Sequence, residues 1–433
     1  MFCYKNGETI GKSGFYRVVR VRNKWVLLNP ADEPCYLRGI NHYGDGTYMP
    51  WNLKERYVTQ EAWRRSVCER HREWGFNYLA PSIGPSAVNP DTIENGMDNK
   101  FLTRRTPEWE VGKFVELNYP FAFFLEVPRQ NMYAGPPYPD VFSSAFREAV
   151  EQKCREQVVP VRDNPNLIGY HFCHNPPWHS SLAGYHQWIR DATLRGSEGR
   201  LRWIELMHRV YGSVERWRKT YGIPIRTWDD IEKLADPLDG YVEHGRMLED
   251  KANFMEMICE QWYRVYVESI RKYDSNHLIL GDRNTLHLHP LPSYAVRIMR
   301  RYIDVLSVNV MGPPDTVYGV LEQVTRYWDG PVLLADTGAS IYQEGKEKSA
   351  YPVRDIKEYE EIWRGLMEIG LQHPQVIGFA WCGYYDTPLP SSRSGLVDCR
   401  TDEPITEMVD IAKKWNMWME VKYKELVRNS GFG

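Results

Sequence analysis

Eight short apolar runs recur along the chain, and each is followed by a stretch with helical periodicity. This alternation is typical of parallel βα units. Eight units predict a closed (β/α)8 TIM barrel of the α/β class, because an open doubly wound sheet more often has about five to seven strands and a glycine-rich phosphate loop. Neither GxGxxG nor GxxxxGK[ST] occurs in the chain. The runs are Cys35–Tyr43, Phe76–Gly84, Pro120–Arg129, Asn166–Trp178, His277–Asn284, Asp304–Gly312, Pro331–Ser340 and Val376–Pro388.

Two further segments elaborate the predicted barrel. Residues 14–34 alternate in polarity around turns at Arg22-Asn23 and at 30–32, which predicts a β-hairpin that covers the N-terminal face. Residues 179–276 are rich in helix formers and predict a helical insertion after the fourth strand. We expect this insertion to form a wall of the substrate cleft, with a subdomain for oligomer contacts as the alternative. Without an internal repeat or linker, the whole chain, 1–433, is predicted to be a single elaborated (β/α)8 barrel domain.

Composition and charge exclude several classes of protein. The formal net charge of −3 offers no electrostatic footprint for nucleic acid. An uninterrupted apolar run of about 18 residues is missing, so no membrane span is expected. The polar N-terminus shows no signal peptide, which predicts a cytoplasmic protein, although a mature secreted form would look the same. The eight cysteines form no CxxC pair and are expected to be free thiols. The sequence is compatible with a homo-oligomer.

The predicted strands end in polar and aromatic side chains, and the fourth, NLIGYHFCHNPPW, shows this most strongly. Catalytic residues of TIM barrels lie at these C-terminal ends. Aromatic residues make up 13% of the chain, with 16 Trp and 28 Tyr, and can stack against the C–H faces of sugar rings or fill a large core.

The order of these segments resembles the large clan of TIM-barrel retaining glycosidases that includes agarases and β-galactosidases. The resemblance is carried by LRGINHYG at 37–44, by VYGSVERWRKTYGIPIRTWDDI at 210–231, and then by HLILGDR, DVLSVNV, PVLLADTGAS, GFAWCGYYD and SGLVD. It covers nearly the whole chain, although each motif alone is short. The resemblance implies a glycoside hydrolase with a carbohydrate substrate and no cofactor.

The chain departs from the clan at both catalytic positions. The clan carries Asn-Glu after the fourth strand, where the Glu is the general acid, but this chain has Asn175 and Pro176, and proline cannot transfer a proton. The clan's nucleophile, a Glu near the end of the seventh strand, corresponds to Asp336. Capping of a helix is the structural alternative for Asp336. Three residues compete for the role of proton donor: His174, Glu126 and Asp282.

Further residues at strand ends are predicted to bind the substrate: His42, Tyr43, Asn175, Trp178, Arg283, Asn309, Trp381, Tyr385 and Asp386. Structural roles compete with these. His42 and His174 could be hydrogen-bonded core residues, Glu126 could pair with Arg129, and Asp282 with Arg283 could form an ion pair at the barrel rim. The His287-x-His289 pair has no carboxylate beside it, so no metal site is predicted.

Two main functions follow. The first is hydrolysis of a glycoside, with Asp336 as one catalytic carboxylate and a non-standard proton donor; the alternative is a barrel that binds carbohydrate without cleaving it. Elimination by a His or Tyr base is a weaker third reading. An aspartate withdraws the carboxylate by roughly 1.5 Å relative to glutamate. Because inversion needs the two carboxyl groups ~6.5–9.5 Å apart and retention only ~5–5.5 Å, we hypothesise that hydrolysis here inverts.

Overall fold

A four-stranded antiparallel sheet begins the part of the chain that the computed structural model describes, which is residues 9–43, 56–81, 118–125, 137–238, 245–286, 289–342, 351–386, 394–398 and 401–430. Strands β2 and β3 pair through a two-residue turn at Arg22-Asn23. The side chains on one face of this sheet, including Val18, Trp25 and Leu27, pack with residues that point into the barrel. One face of the sheet therefore packs against side chains of the barrel strands. Its strands are β1 Thr9–Ile10, β2 Arg17–Val21, β3 Lys24–Leu28 and β4 Pro34–Cys35.

Eight parallel strands close into a barrel, which confirms the predicted fold class. Each strand lies within one of the eight apolar runs or extends one residue beyond it. The strands are almost entirely buried because helices cover the outside while side chains fill the inside. In chain order the barrel strands are β5 Leu37–Ile40, β6 Tyr78–Leu79, β7 Phe121–Phe124, β8 Leu167–His174, β9 Leu278–Thr285, β10 Leu306–Asn309, β11 Val332–Thr337 and, after the short parallel pair β12 Ser340–Ile341 and β13 Pro352–Val353, β14 Val376–Trp381.

The described helices surround this barrel, and several begin at a side-chain cap. Thr59, Ser143 and Asp355 each accept a hydrogen bond from a backbone N–H of the first turn, as N-cap residues do. None of the described helices is long and apolar enough to cross a membrane. The helices are α1 Gln60–Glu73, α2 Ser144–Lys153, α3 Ala183–Ala192, α4 Glu198–Tyr211, α5 Val214–Tyr221, α6 Arg246–Tyr273, α7 Ser293–Tyr302, α8 Pro314–Thr325, α9 Ile356–Gln372 and α10 Thr406–Asn429.

The described residues between β8 and β9 form four α-helices, α3 to α6. The last of them, α6, packs beside α2 and α7 and takes the place of the barrel's own helix between the fourth and fifth strands. The described residues before α6 form α3 to α5 and a short 3₁₀ helix at Trp228–Lys233, and the extent of the insertion stays a prediction. Its role as a wall of the cleft stays a prediction.

Candidate active site

A buried ion pair between Arg283 and Asp336 lies at the C-terminal end of the barrel. Arg283 Nη2 is 2.8 Å from Asp336 Oδ2, and Asn41 Nδ2 donates to Asp336 Oδ1 at 3.1 Å. The guanidinium also donates from Nη1 to Asn41 Oδ1 (3.2 Å) and Pro81 O (3.1 Å) and from Nε to Asn309 Oδ1 (3.3 Å). These contacts fix the orientation of one carboxylate between side chains from four barrel strands or the residues directly after them. They engage the Nε and Nη1 donors, while Nη2 lies in the ion pair without a well-aligned hydrogen bond, so Arg283 positions Asp336 and its predicted contact with the substrate stays a prediction.

His174 at the end of β8 joins this group through Asn309. Its Nδ1 lies 3.4 Å from Asn309 Nδ2. Burial and the nearby charge of Arg283 hold the pKa of His174 well below its usual value, so the imidazole is neutral near pH 7. A neutral imidazole can hydrogen-bond a hydroxyl group, but it is a poor proton donor at that pH.

Asn175 connects the ends of two neighbouring strands. Its backbone is left-handed (φ 61°), and its N–H donates to Arg283 O at 2.8 Å. Its side-chain Oδ1 accepts the N–H of Thr285 at 3.0 Å. This geometry gives Asn175 a clear structural task, while its predicted contact with substrate stays a prediction.

The half-buried residues His42 and Cys382 lie next to Asp336. One ligand-type atom from each of the three side chains lies within 4.8 Å of the other two. The Cys382 thiol hydrogen-bonds with His42 and with Asp336, and burial together with the Asp336 charge raises its pKa. Sequence reasoning missed Cys382 and Asn41, although both directly follow a barrel strand, the position that signalled the other candidates.

Asp282 lies on the other face of the barrel wall. Its carboxylate accepts hydrogen bonds from Trp262 Nε1 (3.2 Å) and from the Tyr263 hydroxyl, both on α6. Burial raises the pKa of Asp282 to about 7. The sequence suggested an ion pair between Asp282 and Arg283. In the structure Arg283 instead forms its ion pair with Asp336.

A bulge in β9 explains this exchange of faces. Leu278 and Leu280 point into the barrel, so strict alternation predicts that Asp282 points inward too. Gly281, however, has a left-handed backbone (φ 64°), and the pairing of β8 with β9 shifts register at this point. One extra residue reverses the alternation, which turns Arg283 inward and Asp282 toward the helices.

Both predicted sugar-stacking tryptophans are buried against helices. Trp178 stacks on Trp188 of α3 with ring centroids 5.1 Å apart. Trp381 stacks on Trp363 of α9 at 4.2 Å, and its Nε1 donates to Ser394 O. Neither indole has a face open to a ligand in this structure, because both strand-end side chains point outward into the helix layer.

The remaining predicted residues lie around the loops at this end. Tyr43 is buried with its ring edge-on to His71. The Tyr385 hydroxyl donates to Asp402 (2.9 Å), and Asp386 Oδ1 accepts the N–H of Ser394 (2.9 Å), so both organise the chain after β14. Glu126 lies outside the described residues. The structure thus brings together His42, His174, Asn309, Arg283 and Asp336 and separates them from Asp282, Trp178 and Trp381.

Comparison with known proteins agrees with the resemblance seen in the sequence. No protein-family model matches the chain. It is 20% identical over 393 residues to β-agarase B of Vibrio sp. (strain JT0107), which is 84% of this chain and 38% of the relative. A solved exo-β-agarase superposes with a TM-score of 0.72 at 17% identity, covering 97% of this chain and 66% of that one. A β-galactosidase from Marinomonas ef1 superposes with a TM-score of 0.58 at 13% identity, covering 92% and 61%.

The chain therefore resembles agarases and β-galactosidases in sequence order and in fold. It spans less than two-fifths of the length of the curated relative it matches. The structural likeness shows the fold, and the activity of this chain has to be argued from its own residues.

Proposed function

We propose that the protein is a glycoside hydrolase that acts on an oligosaccharide or polysaccharide, with Asp336 as one catalytic carboxylate. The observation that carries this proposal is the carboxylate of Asp336 at the C-terminal end of the seventh barrel strand, which Arg283 and Asn41 hold in place. The similarity to β-agarases supports the same reaction class and suggests a galactose-containing glycan.

The arrangement suits a transition state that develops positive charge. Cleavage of a glycosidic bond passes through an oxocarbenium-like state, which an anion beside the anomeric carbon stabilises. Because Arg283 and Asn41 already hold Asp336 in one orientation, little reorganisation is needed during the reaction. The neutral His174 and the Asn309 amide add hydrogen-bonding groups suited to sugar hydroxyls.

Three residues compete for the role of proton donor in the sequence, and the contacts of two of them count against that role. His174 has a lowered pKa, and Asp282 faces the helices rather than Asp336. Of the three sequence candidates, this favours Glu126, which follows the third barrel strand in the sequence. A donor there, with Asp336 activating water, is the arrangement that we propose for an inverting reaction.

Binding of carbohydrate without cleavage is the second candidate. It is favoured by Pro176 at the clan's acid position and by the Arg283 ion pair, which engages Asp336 Oδ2. A binding protein would keep the same hydrogen-bonding groups. The two functions differ in one measurable respect, the release of reducing ends.

The test is an assay of the full chain against agarose oligosaccharides, aryl β-galactosides and other neutral glycans. We expect new reducing ends, and we expect Asp336→Asn to lose a factor of ~10³ because a positioned base contributes ~10²–10⁴. The control is Asp329→Asn, which removes an exposed carboxylate paired with Arg300. Binding in calorimetry without any reducing ends contradicts hydrolysis and supports the binding protein, while ultraviolet absorbance from unsaturated products indicates elimination.

Stereochemistry has its own readout in proton NMR of the first-formed anomer. A product with the opposite anomeric configuration to the substrate supports inversion, and one with the same configuration rules it out.

Single-domain organisation, homo-oligomerisation and cytoplasmic location stay predictions.

A further inference from the structure

Three side chains of different ligand type meet at the ends of three neighbouring barrel strands. His42 lies two residues after β5, Asp336 lies in β11, and Cys382 directly follows β14, which pairs with both of those strands. A ring nitrogen, the thiol sulfur and a carboxylate oxygen all lie within 4.8 Å of one another. The Cys382 thiol interacts with both of the other side chains.

This set matches the coordination chemistry of zinc. Zn²⁺ takes imidazole, thiolate and carboxylate ligands at about 2.0–2.3 Å, and open sites use three protein ligands with water in the fourth position. In a tetrahedron of that size neighbouring ligand atoms are roughly 3.3–3.8 Å apart. Separations of 4.8 Å or less therefore need to close by at most about 1.5 Å, which side-chain rotations supply.

The backbone holds the three positions together. Cys382 N–H donates to Thr337 O at 2.8 Å, and Tyr384 N–H donates to Asn41 O at 2.7 Å, so each ligand-bearing segment is tied to the next. His42 has a left-handed backbone (φ 60°), a strained conformation that is more frequent at functional sites. A Cβ on Gly383 would lie 3.0 Å from His42 Cδ2, so the glycine lets the imidazole lie against the chain beside Cys382.

Asp336 keeps coordinating capacity despite its two partners. Arg283 binds Oδ2 and Asn41 binds Oδ1, but an ionised carboxylate offers about four acceptor positions. Hydrogen bonds of this kind to a ligating carboxylate orient it for a metal. The positive charge of Arg283 opposes a cation, while the Cys382 thiolate and the Asp336 carboxylate together supply two negative charges.

We propose that His42, Asp336 and Cys382 bind one zinc-type divalent ion, with the fourth position left to water. The Cys382 thiol loses its proton to solvent when the ion binds. This site goes beyond the proposed function, since it requires only that the three groups bind metal. Its consequence for catalysis, suppression of hydrolysis by zinc because Asp336 becomes a ligand, rests on the proposed function.

The test uses the full chain after removal of metal with a chelator. Cobalt(II) is the probe, because a thiolate bound to Co²⁺ gives an ultraviolet charge-transfer band and tetrahedral Co²⁺ gives strong visible bands. We expect one Co²⁺ per chain, displacement by an equivalent of Zn²⁺, and complete loss of the charge-transfer band in Cys382→Ala. Cys35→Ala is the matched control, because Cys35 is a free thiol in β4.

A second variant guards against a folding defect. Asn tolerates left-handed backbone and is a poor zinc ligand, so His42→Asn should keep the fold, checked by circular dichroism, and weaken Co²⁺ binding by at least tenfold. A wild-type chain without the charge-transfer band overturns the site, as does a band that persists in Cys382→Ala or binding that is unchanged in His42→Asn. These readouts do not involve hydrolysis, so an inactive protein that binds Co²⁺ in this way refutes only the proposed function.

Discussion

Two buried carboxylates lie on opposite faces of the barrel wall, and their partners differ. Asp336 on the inner face is held by a guanidinium and an amide, and Asp282 on the outer face is held by an indole and a phenol of α6. The first pairing provides a full positive charge beside the carboxylate. The second provides only neutral donors, and burial raises the pKa of Asp282 to about 7. Burial is thus combined with a paired charge on one face and with a proton-binding structural group on the other.

The difference also shows which face can take part in chemistry. Inner-face residues at the C-terminal strand ends can meet a ligand, while outer-face residues are covered by helices. One bulge at Gly281 decides which of two adjacent residues, Asp282 or Arg283, is inside. Which side chain lies inside the barrel therefore depends on backbone geometry as much as on residue type.

The largest expected effect on stability comes from removing the inner cation. Arg283→Met leaves Asp336 buried beside an uncharged side chain, and breaking a buried pair in this way costs about 3–5 kcal/mol of unfolding free energy. Urea denaturation at pH 7 measures it. Arg38→Met is the control, because Arg38 is equally buried but its partner Glu420 is 45% exposed, and we expect a smaller loss.

A double variant sharpens that result. Arg283→Met with Asp336→Asn removes both charges and should be more stable than Arg283→Met alone, because no uncompensated carboxylate remains. If the double variant is as unstable as the sum of the two single variants, the charge pair is not the cause of the loss.

The outer carboxylate should produce a pH effect of intermediate size. The folded pKa of Asp282 is raised to about 7 while an unfolded Asp titrates near 3.8, so the folded state binds the extra proton between these values. Stability from this group is present at low pH and is lost as pH rises toward 7. At ~1.4 kcal/mol per unit, the loss between pH 5 and 8 is on the order of 2–3 kcal/mol.

Asp282→Asn should remove this contribution. The buried His174, His171 and His71 have lowered pKa values and act in the opposite direction, losing stability as pH falls below the usual histidine range. The informative quantity is therefore the difference between Asp282→Asn and the wild-type chain at each pH. We expect the free energy of unfolding of Asp282→Asn to rise relative to that of the wild-type chain between pH 5 and 8. If this difference stays constant, Asp282 does not carry a raised pKa.

The bulge gives the smallest expected difference between a variant and its control. Gly281→Ala places a Cβ in left-handed backbone, 3.0 Å from Ile303, and we expect a loss of about 2–3 kcal/mol. Gly212→Ala has a similar φ with nothing within 4 Å, so its loss should be about 1–2 kcal/mol. Only Gly281→Ala should also reduce activity, since it displaces Arg283. Equal losses of activity in both variants would remove the bulge from the account.

The sequence predicted the barrel because each strand is a buried apolar run that is followed by a stretch with helical periodicity. It also placed Asp336, His174, Asn309 and His42 near one another, since the C-terminal ends of parallel strands meet at one end of a barrel. It did not reveal which face each strand-end side chain takes. Trp178, Trp381 and Asp282 all point outward into the helix layer, and bulges shift the alternation near Gly281 and around Asp336.

The sequence also did not reveal which side chains contact Asp336. Asn41 and Cys382 come from strands that are far from Asp336 in the sequence, and only closure of the barrel brings β5, β11 and β14 side by side. Composition and spacing show only that each residue lies in one of the predicted strand runs, and they carry no signal for which side chains meet across the barrel.

The most direct test compares the two carboxylates in one experiment. Turnover of the best substrate and its dissociation constant are measured for Asp336→Asn and for Asp282→Asn, both confirmed to be folded. We predict that Asp336→Asn loses turnover by ~10³ while its dissociation constant changes little, and that Asp282→Asn stays within a few-fold of the wild-type rate. Unchanged turnover in Asp336→Asn, or a collapse of turnover in Asp282→Asn alone, would contradict the assignment of the inner carboxylate to catalysis.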